Sequence, residues 1–257
     1  MRLAYALYAA AAFLVLALGA LAATLILPGV QRRRAAARAF SRGFLRVAGM
    51  PLTVRGMERL APGQCIVVAN HASYLDGLVF TAALPSRFGF VIKREMSAVP
   101  LAGLFLRRIG SEFVERFDRQ RSAADARRML RNAASGHSLV FFPEGTFTRT
   151  PGLLKFHTGA FVTAVRAGCP VIPAVVRGTR AALSPSGGLP RPGRIEIDIL
   201  PAIGAEPQAG ETSAAALRDR ARQAILQALG EPDLTCSGDS VPPPHTGRAR
   251  SAPASRS

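Results

Sequence analysis

Tryptophan is absent from the 257 residues, cysteine occurs three times, and the 16 acidic residues are outnumbered by 33 basic ones. Each shortage excludes something. Cys65, Cys169 and Cys236 form no C-x-x-C pair and show no metal-ligand spacing; so sparse and odd a count suits a reducing compartment without a disulfide framework. Aromatic residues make up only 7% of the chain and no nucleic-acid-binding motif is visible. The formal net charge of +17 is therefore not the footprint of a nucleic-acid reader. No serine lies in a G-x-S-x-G elbow, which argues against a covalent serine intermediate. What the basic excess fits, nearly all of it arginine, is an anionic lipid surface or a phosphorylated substrate.

What the chain does have, at its start, is an apolar run. Residues 3–30 carry no charge, and about 20 apolar residues suffice to cross a bilayer core. Tyr5 and Tyr8 lie near one end, where amphipathic rings favour the interface, and Pro28 and Gly29 close the run. Arg32, Arg33, Arg34, Arg38, Arg42 and Arg46 follow. A cleaved signal peptide, cut after Ala20-Leu21-Ala22, would need a basic n-region, but only Arg2 is there and the arginine cluster lies on the wrong side for export. The expectation is a membrane anchor over residues 1–30, held in the inner (plasma) membrane, with the remaining chain cytoplasmic by the positive-inside rule. Gly19 in mid-run leaves open a hairpin that dips into one leaflet. Residues 31–50 read as a basic amphipathic helix, with Phe40, Phe44, Leu45 and Val47 on its apolar side.

Beyond residue 50, short β-rich runs alternate with helical patterns. Strands are expected at 65–69, 88–92, 112–114, 138–142, 171–176 and 194–200, and helices at 75–84, 101–109, 122–135, 158–166 and 213–229. That alternation predicts an α/β domain over residues 51–230, built on a largely parallel mixed sheet flanked by helices. From Glu231 the chain is Pro, Ser, Gly and Arg with few large apolar side chains, so residues 231–257 are expected to form a disordered tail.

The chemistry concentrates at strand ends. Asn70-His71-Ala-Ser-Tyr-Leu-Asp76 follows directly on the first of these strands, and α/β sites form outside the carboxyl ends of strands. Five positions apart on one helix, two side chains diverge by about 140°, given 3.6 residues per turn. His71 and Asp76 can therefore meet only if the histidine lies in the turn and the aspartate in the first helical turn. A carboxylate on one ring nitrogen leaves the other free to take a proton, which is what a general base for a hydroxyl requires. The competing reading is local: Ser73-x-x-Asp76 fits a capping box. A second cluster, Phe142-Pro143-Glu144-Gly145-Thr146, also follows a buried strand, with Arg149, Lys155 and His157 close behind. A glycine-bearing loop with nearby cations can hold a phosphate. Gly110-Ser-Glu-Phe-Val-Glu-Arg116 ends in a guanidinium suited to the same task, and Val171-Ile172-Pro173 reads as a strand start or edge.

Taken in order, these four segments resemble the lysophospholipid and glycerol-phosphate acyltransferase family, over residues 52–203. The resemblance implies a glycerol-phosphate acyltransferase-like fold and acyl transfer from acyl-CoA or an acyl carrier protein to the free hydroxyl of 1-acylglycerol 3-phosphate, giving phosphatidic acid. Another lyso-lipid, such as lyso-ornithine lipid, or glycerol 3-phosphate is the alternative acceptor. By the same resemblance His71 and Asp76 are the catalytic pair, and Asn70, Arg116, Glu144, Gly145, Thr146, Arg149 and Pro173 bind or line the substrate. No metal or other cofactor is implied. The partners expected are anionic membrane lipid and the thioester donor, with no nucleic acid. In one respect the sequence departs from the family: many members carry arginine directly after Glu-Gly-Thr, where Phe147 stands here and the next arginine is Arg149.

Overall fold

The structure, a computed structural model, describes residues 1–114, 136–185, 188–204 and 213–235. The helix expected over 122–135, together with Arg116, Cys236 and the rest of the tail, lies outside these residues.

Helix α1 (Arg2–Ile26) and helix α2 (Val30–Val47) form an antiparallel hairpin. Leu27 turns extended, and Gly29 at φ 74° opens the second helix. The two helices stay together along their whole length. Tyr5 Oη donates to the Ala48 carbonyl at 2.7 Å, Phe13 packs edge-on to Phe44 with centroids 5.4 Å apart, and Arg33 Nε donates to the Leu27 carbonyl at the closed end. The inward face of α1 is small: Ala6, Ala9, Ala20 and Thr24 are buried, whereas Leu3, Leu7, Leu14, Leu18 and Leu25 are exposed.

In turn, α2 is fixed to the domain by its arginines. Arg34 is buried and donates to the carbonyls of Ile109, Arg87 and Gly110. Arg38 and Arg42 donate to the carbonyls of Ala82 and Ala83, at the C-terminal end of α3 (Asp76–Ala83), where a helix leaves carbonyls without partners and favours cations. Much of the basic cluster is therefore structural.

Seven strands make one sheet: β1 (Leu52–Arg55), β2 (Ile66–Ala69), β3 (Phe88–Lys93), β4 (Glu112–Val114), β5 (Ser138–Phe141), β6 (Val171–Arg177) and β7 (Ile195–Ile199). Their order is β1-β7-β6-β2-β5-β3-β4, and only the β6–β7 pair is antiparallel. The mixed, largely parallel sheet is the one expected; β1 was not anticipated. β2 and β5 lie at the centre and are buried throughout, as continuous apolar runs covered on both faces should be. One face packs on α2 and α3 through Phe44, Leu45, Val79 and Phe80. The other packs on α5 (Gly159–Ala167) and α7 (Ala214–Leu229) through Phe161, Leu217, Ala221 and Ile225. Helix α4 (Ala102–Arg108) is tied to the hairpin by Arg108, which donates to the carbonyls of Thr24 and Leu25, and one-turn α6 (Thr179–Ala182) follows β6.

Within the span expected to be a tail, five residues are described. Residues 231–235 are strapped onto the segment before α5. Leu153 N–H donates to the Pro232 carbonyl, Leu234 N–H to the Leu153 carbonyl, and Arg222 forms a two-pronged pair with Asp233 at 2.5 and 2.9 Å. Polar pairing holds this strap together with the Leu234 side chain, which lies against Gly152.

Candidate active site

β2 ends at Ala69 and the chain turns through Asn70 and His71 before α3 begins at Asp76. This turn brings the two side chains together. His71 Nδ1 stands 2.7 Å from Asp76 Oδ2. An ionised carboxylate can only accept, so Nδ1 carries the proton and Nε2 presents a lone pair. Nε2 makes no hydrogen bond among the described residues, and the His71 side chain is 18% exposed while Asp76 is wholly buried. Asp76 Oδ2 also accepts the backbone N–H groups of Ala72 at 2.7 Å and Ser73 at 2.8 Å, and Ser73 Oγ accepts from Leu75 N–H. The same oxygen thus contacts the imidazole and reaches back to the Ser73 N–H, although the helix itself has no side-chain cap. Oδ1 is buried without a partner among the described residues.

Glu144 sits beside the pair, at the end of β5. Its Oε1 accepts His71 N–H at 2.6 Å and its Oε2 accepts Leu154 N–H at 2.9 Å. Burial pushes its carboxyl up to about 7, against the pull of those two N–H groups and of Arg180. Gly145, at φ 74°, makes the tight turn that points this side chain inward, its N–H bonded to the Phe142 carbonyl.

Two aromatic rings contact the imidazole, and a third packs on one of them. Phe142 stacks on the imidazole with centroids 4.5 Å apart and planes at 22°; Phe147 meets it edge-on, also at 4.5 Å; Tyr74 meets Phe147 at 4.8 Å. None of these rings was singled out as a site residue in the sequence. Phe142 and Phe147 flank the Pro-Glu-Gly-Thr segment, and that adjacency was the available signal. Nothing in the sequence pattern marks Arg180. It donates to the carbonyls of Thr148 and Thr150 and pairs with Glu231 at 3.2 Å, so it braces the loop that carries Phe147.

The remaining expected residues divide. Asn70 is buried, and both ends of its amide are spent on Val176: Nδ2 donates to the carbonyl and Oδ1 accepts the N–H. It extends the β2–β6 ladder. Pro173 is buried opposite Val68 in a strand paired on both sides, not at an edge. Its missing N–H is tolerated because the β6–β7 ladder begins only at Ala174. Thr146 and Arg149 are exposed on the loop, and Arg149 makes no hydrogen bond or ion pair among the described residues. No group of three metal-ligating side chains occurs among the described residues.

The family described as Acyltransferase matches residues 51–177. The chain is 32% identical over 173 residues to the 1-acyl-sn-glycerol-3-phosphate acyltransferase of Saccharomyces cerevisiae, covering 66% of this chain and 57% of that protein. It is 32% identical over 191 residues to the putative 1-acyl-sn-glycerol-3-phosphate acyltransferase acl-2 of Caenorhabditis elegans, covering 72% and 67%. The chain thus spans little more than half the length of the yeast relative. Among solved structures it is similar to the 1-acyl-sn-glycerophosphate (LPA) acyltransferase PlsC from Thermotoga maritima, with a TM-score of 0.73 at 21% identity over 93% of this chain and 100% of that one. At that identity the likeness speaks for the fold.

Proposed function

The chain belongs to the acyltransferase family, and from that membership we propose that it transfers a fatty acyl group from a thioester donor to the free hydroxyl of 1-acylglycerol 3-phosphate. One observation carries the mechanism: the 2.7 Å contact between His71 Nδ1 and Asp76 Oδ2, which leaves Nε2 as a base. The acceptor hydroxyl gives its proton to Nε2 as its oxygen attacks the thioester carbonyl. The tetrahedral intermediate collapses, the C–S bond breaks, and the imidazolium returns the proton to the departing thiolate. Asp76, buried and fixed by two backbone N–H groups, holds the ring in the required tautomer and offsets the imidazolium charge. The donor is acyl-CoA or acyl carrier protein, and the acceptor reading is supported by the named activity of the relatives.

The hairpin supplies the membrane contact. Helix α1 is long and apolar enough to cross a bilayer. Yet α2 lies along it from end to end, so sending α1 across would carry Arg32, Arg33, Arg34, Arg38, Arg42 and Arg46 with it. The full cost of about 2.5–3.5 kcal/mol applies only to arginines near the bilayer centre, but even two or three of them there cost roughly 5–10 kcal/mol. We therefore place α1 flat in one leaflet, its exposed leucines in the acyl region. The open groove of about 420 Å³ that Arg38, Arg42 and Arg46 line then faces the headgroups, with the domain on the cytoplasmic side of the inner membrane.

The test is acyl transfer by the purified protein, with labelled acyl-CoA and acyl carrier protein as donors and with 1-acylglycerol 3-phosphate, glycerol 3-phosphate and lyso-ornithine lipid as acceptors. Phosphatidic acid, formed by the native protein and not by His71→Ala, is the expected result. Transfer to lyso-ornithine lipid alone would overturn the acceptor. Undiminished transfer by His71→Ala would overturn the base.

A further inference from the structure

We propose that Glu144 is a positioning residue: its carboxylate joins the backbone N–H groups of His71 and Leu154, and so sets where the His71 imidazole stands, without touching the acceptor. The proposal rests on the acyl-transfer reading only for its kinetic arm.

Strand register explains why the carboxylate is there. β2 and β5 are parallel, with Val68 opposite Phe141. Three residues further on, past the ends of both strands, come His71 and Glu144. The chain has to leave the sheet at His71 to reach α3, so its N–H loses its strand partner. A buried N–H without a partner costs about 1–3 kcal/mol. Glu144 Oε1, 2.6 Å away, takes the place of the missing strand carbonyl.

The second oxygen ties this junction to the rest of the molecule. Leu154 N–H donates to Oε2 at 2.9 Å, while Arg222 of α7 donates to the carbonyls of Leu153 and Leu154. Leu153 is also bonded on both sides to the strap of residues 231–235. A continuous path of hydrogen bonds therefore runs from α7 through Leu154 and Glu144 to the backbone of the residue whose ring Asp76 holds. His71 is gripped twice, at the imidazole by one buried carboxylate and at the backbone by another.

The same arrangement disfavours the phosphate-binding role that the resemblance implies. Glu144 is 4% exposed, and each of its oxygens already accepts a hydrogen bond. It offers a phosphate no cation, and whatever negative charge it carries opposes the phosphate's own, as Asp76 already opposes it. Arg180 is the cation that faces Glu144, and its guanidinium is engaged with Thr148, Thr150 and Glu231.

The experiment compares Glu144→Gln and Glu144→Asp with the native protein, in detergent and below each variant's Tm. An amide offers one acceptor oxygen and turns its NH2 towards the other N–H, so the turn shifts; a displacement on the order of 1 Å costs ~10²-fold in rate. Expected is a fall in kcat of at least tenfold with the acceptor KM unchanged within about twofold, because no substrate contact is lost. Glu144→Asp, shorter by one methylene, keeps the charge and recovers part of kcat. A rise in acceptor KM with kcat held would overturn the proposal in favour of acceptor binding, and a lower Tm with both constants unchanged would reduce Glu144 to packing. A second readout needs no substrate: the low-field Nδ1 proton resonance of His71, assigned by its loss in His71→Ala, shifts or vanishes in Glu144→Gln. An unmoved resonance overturns the proposal even if the native protein proved inactive on every acceptor tried.

Discussion

The edge of the Phe147 ring rests against the imidazole of His71, 4.5 Å between centroids, at the position where many family members carry arginine. An apolar ring here cannot hold a phosphate, but it can keep water from the base. Phe147→Ala is expected to raise thioester hydrolysis in the absence of acceptor and to slow transfer. An aromatic contact is worth about 0.5–1.5 kcal/mol, so the partition should move roughly twofold to tenfold. Release of free thiol, measured with and without acceptor, reads both rates; an unchanged ratio would show that the ring shields nothing.

Asp76 should separate catalysis from stability. In Asp76→Asn an acceptor oxygen remains for the backbone N–H groups of Ala72 and Ser73, but the charge facing the imidazolium is gone. A loss in kcat of about 10²–10⁴-fold is expected, the range of general acid–base catalysis, with a modest change in Tm. Asp76→Ala also strands those two N–H groups, at about 1–3 kcal/mol each, and its Tm should fall by clearly more than that of the asparagine variant. Equal melting temperatures would mean that the aspartate does not hold the turn.

The sheet was legible because its central strands are unbroken apolar runs, and the His71–Asp76 pair because the strand end and the five-residue spacing admit one way of meeting. Other features were hidden for physical reasons. β1 is a four-residue strand whose side chains are half-buried and exposed in turn, and its own sequence is too short to declare it. The strap at residues 231–235 is polar, and its partners Arg222, Arg180 and Gly152 are distant in sequence or contribute backbone alone. Asn70 and Glu144 are assigned to the substrate by resemblance alone; that each also bonds the backbone of a neighbouring segment becomes visible only in three dimensions.

Glu144 should also leave a mark on stability against pH. Its carboxyl is raised from 4.5 to about 7 by burial, so between those values the folded protein holds a proton that the unfolded chain has released. Stability is then greatest below pH 4.5 as far as this group is concerned. It declines as pH climbs towards 7 and levels off above, for a total of about 3 kcal/mol. Chemical denaturation across pH 4.5–7.5 should show this decline in the native protein and a flatter profile in Glu144→Gln; parallel profiles would contradict the assignment.

The Arg222–Asp233 pair tests the strap. Both side chains are partly shielded, at 14% and 25% exposure, and the contact is two-pronged. Asp233→Ala should cost about 1 kcal/mol, discounted for solvent screening. Because Arg222 also holds the Leu153 and Leu154 carbonyls, kcat should drop with it while the acceptor KM stays level. A double-mutant cycle with Arg222→Ala measures the coupling; additive effects would show that the two side chains do not act together.

The hairpin makes opposite demands on the two faces of α1. Leu7, Leu14 and Leu18 point outward, whereas Ala9 and Gly19 point at α2, and a Cβ on Gly19 would stand 2.8 Å from Phe40 Cε1. If α1 lies flat in one leaflet, Leu7→Glu with Leu14→Glu should release the protein from anionic vesicles without lowering Tm, since neither leucine packs inside the protein. A charge costs about 2.5–3.5 kcal/mol at a bilayer centre and less near the interface, so the pair should weaken vesicle binding roughly tenfold to a hundredfold or more. Gly19→Leu should do the reverse: the Phe40 ring or the helices around it must shift, Tm falls, and the apolar surface available to lipid is retained. Sedimentation with vesicles and thermal melting in detergent separate the two outcomes. A spanning α1 would keep the doubly substituted protein in the membrane through carbonate extraction, and that result would remove the in-plane arrangement.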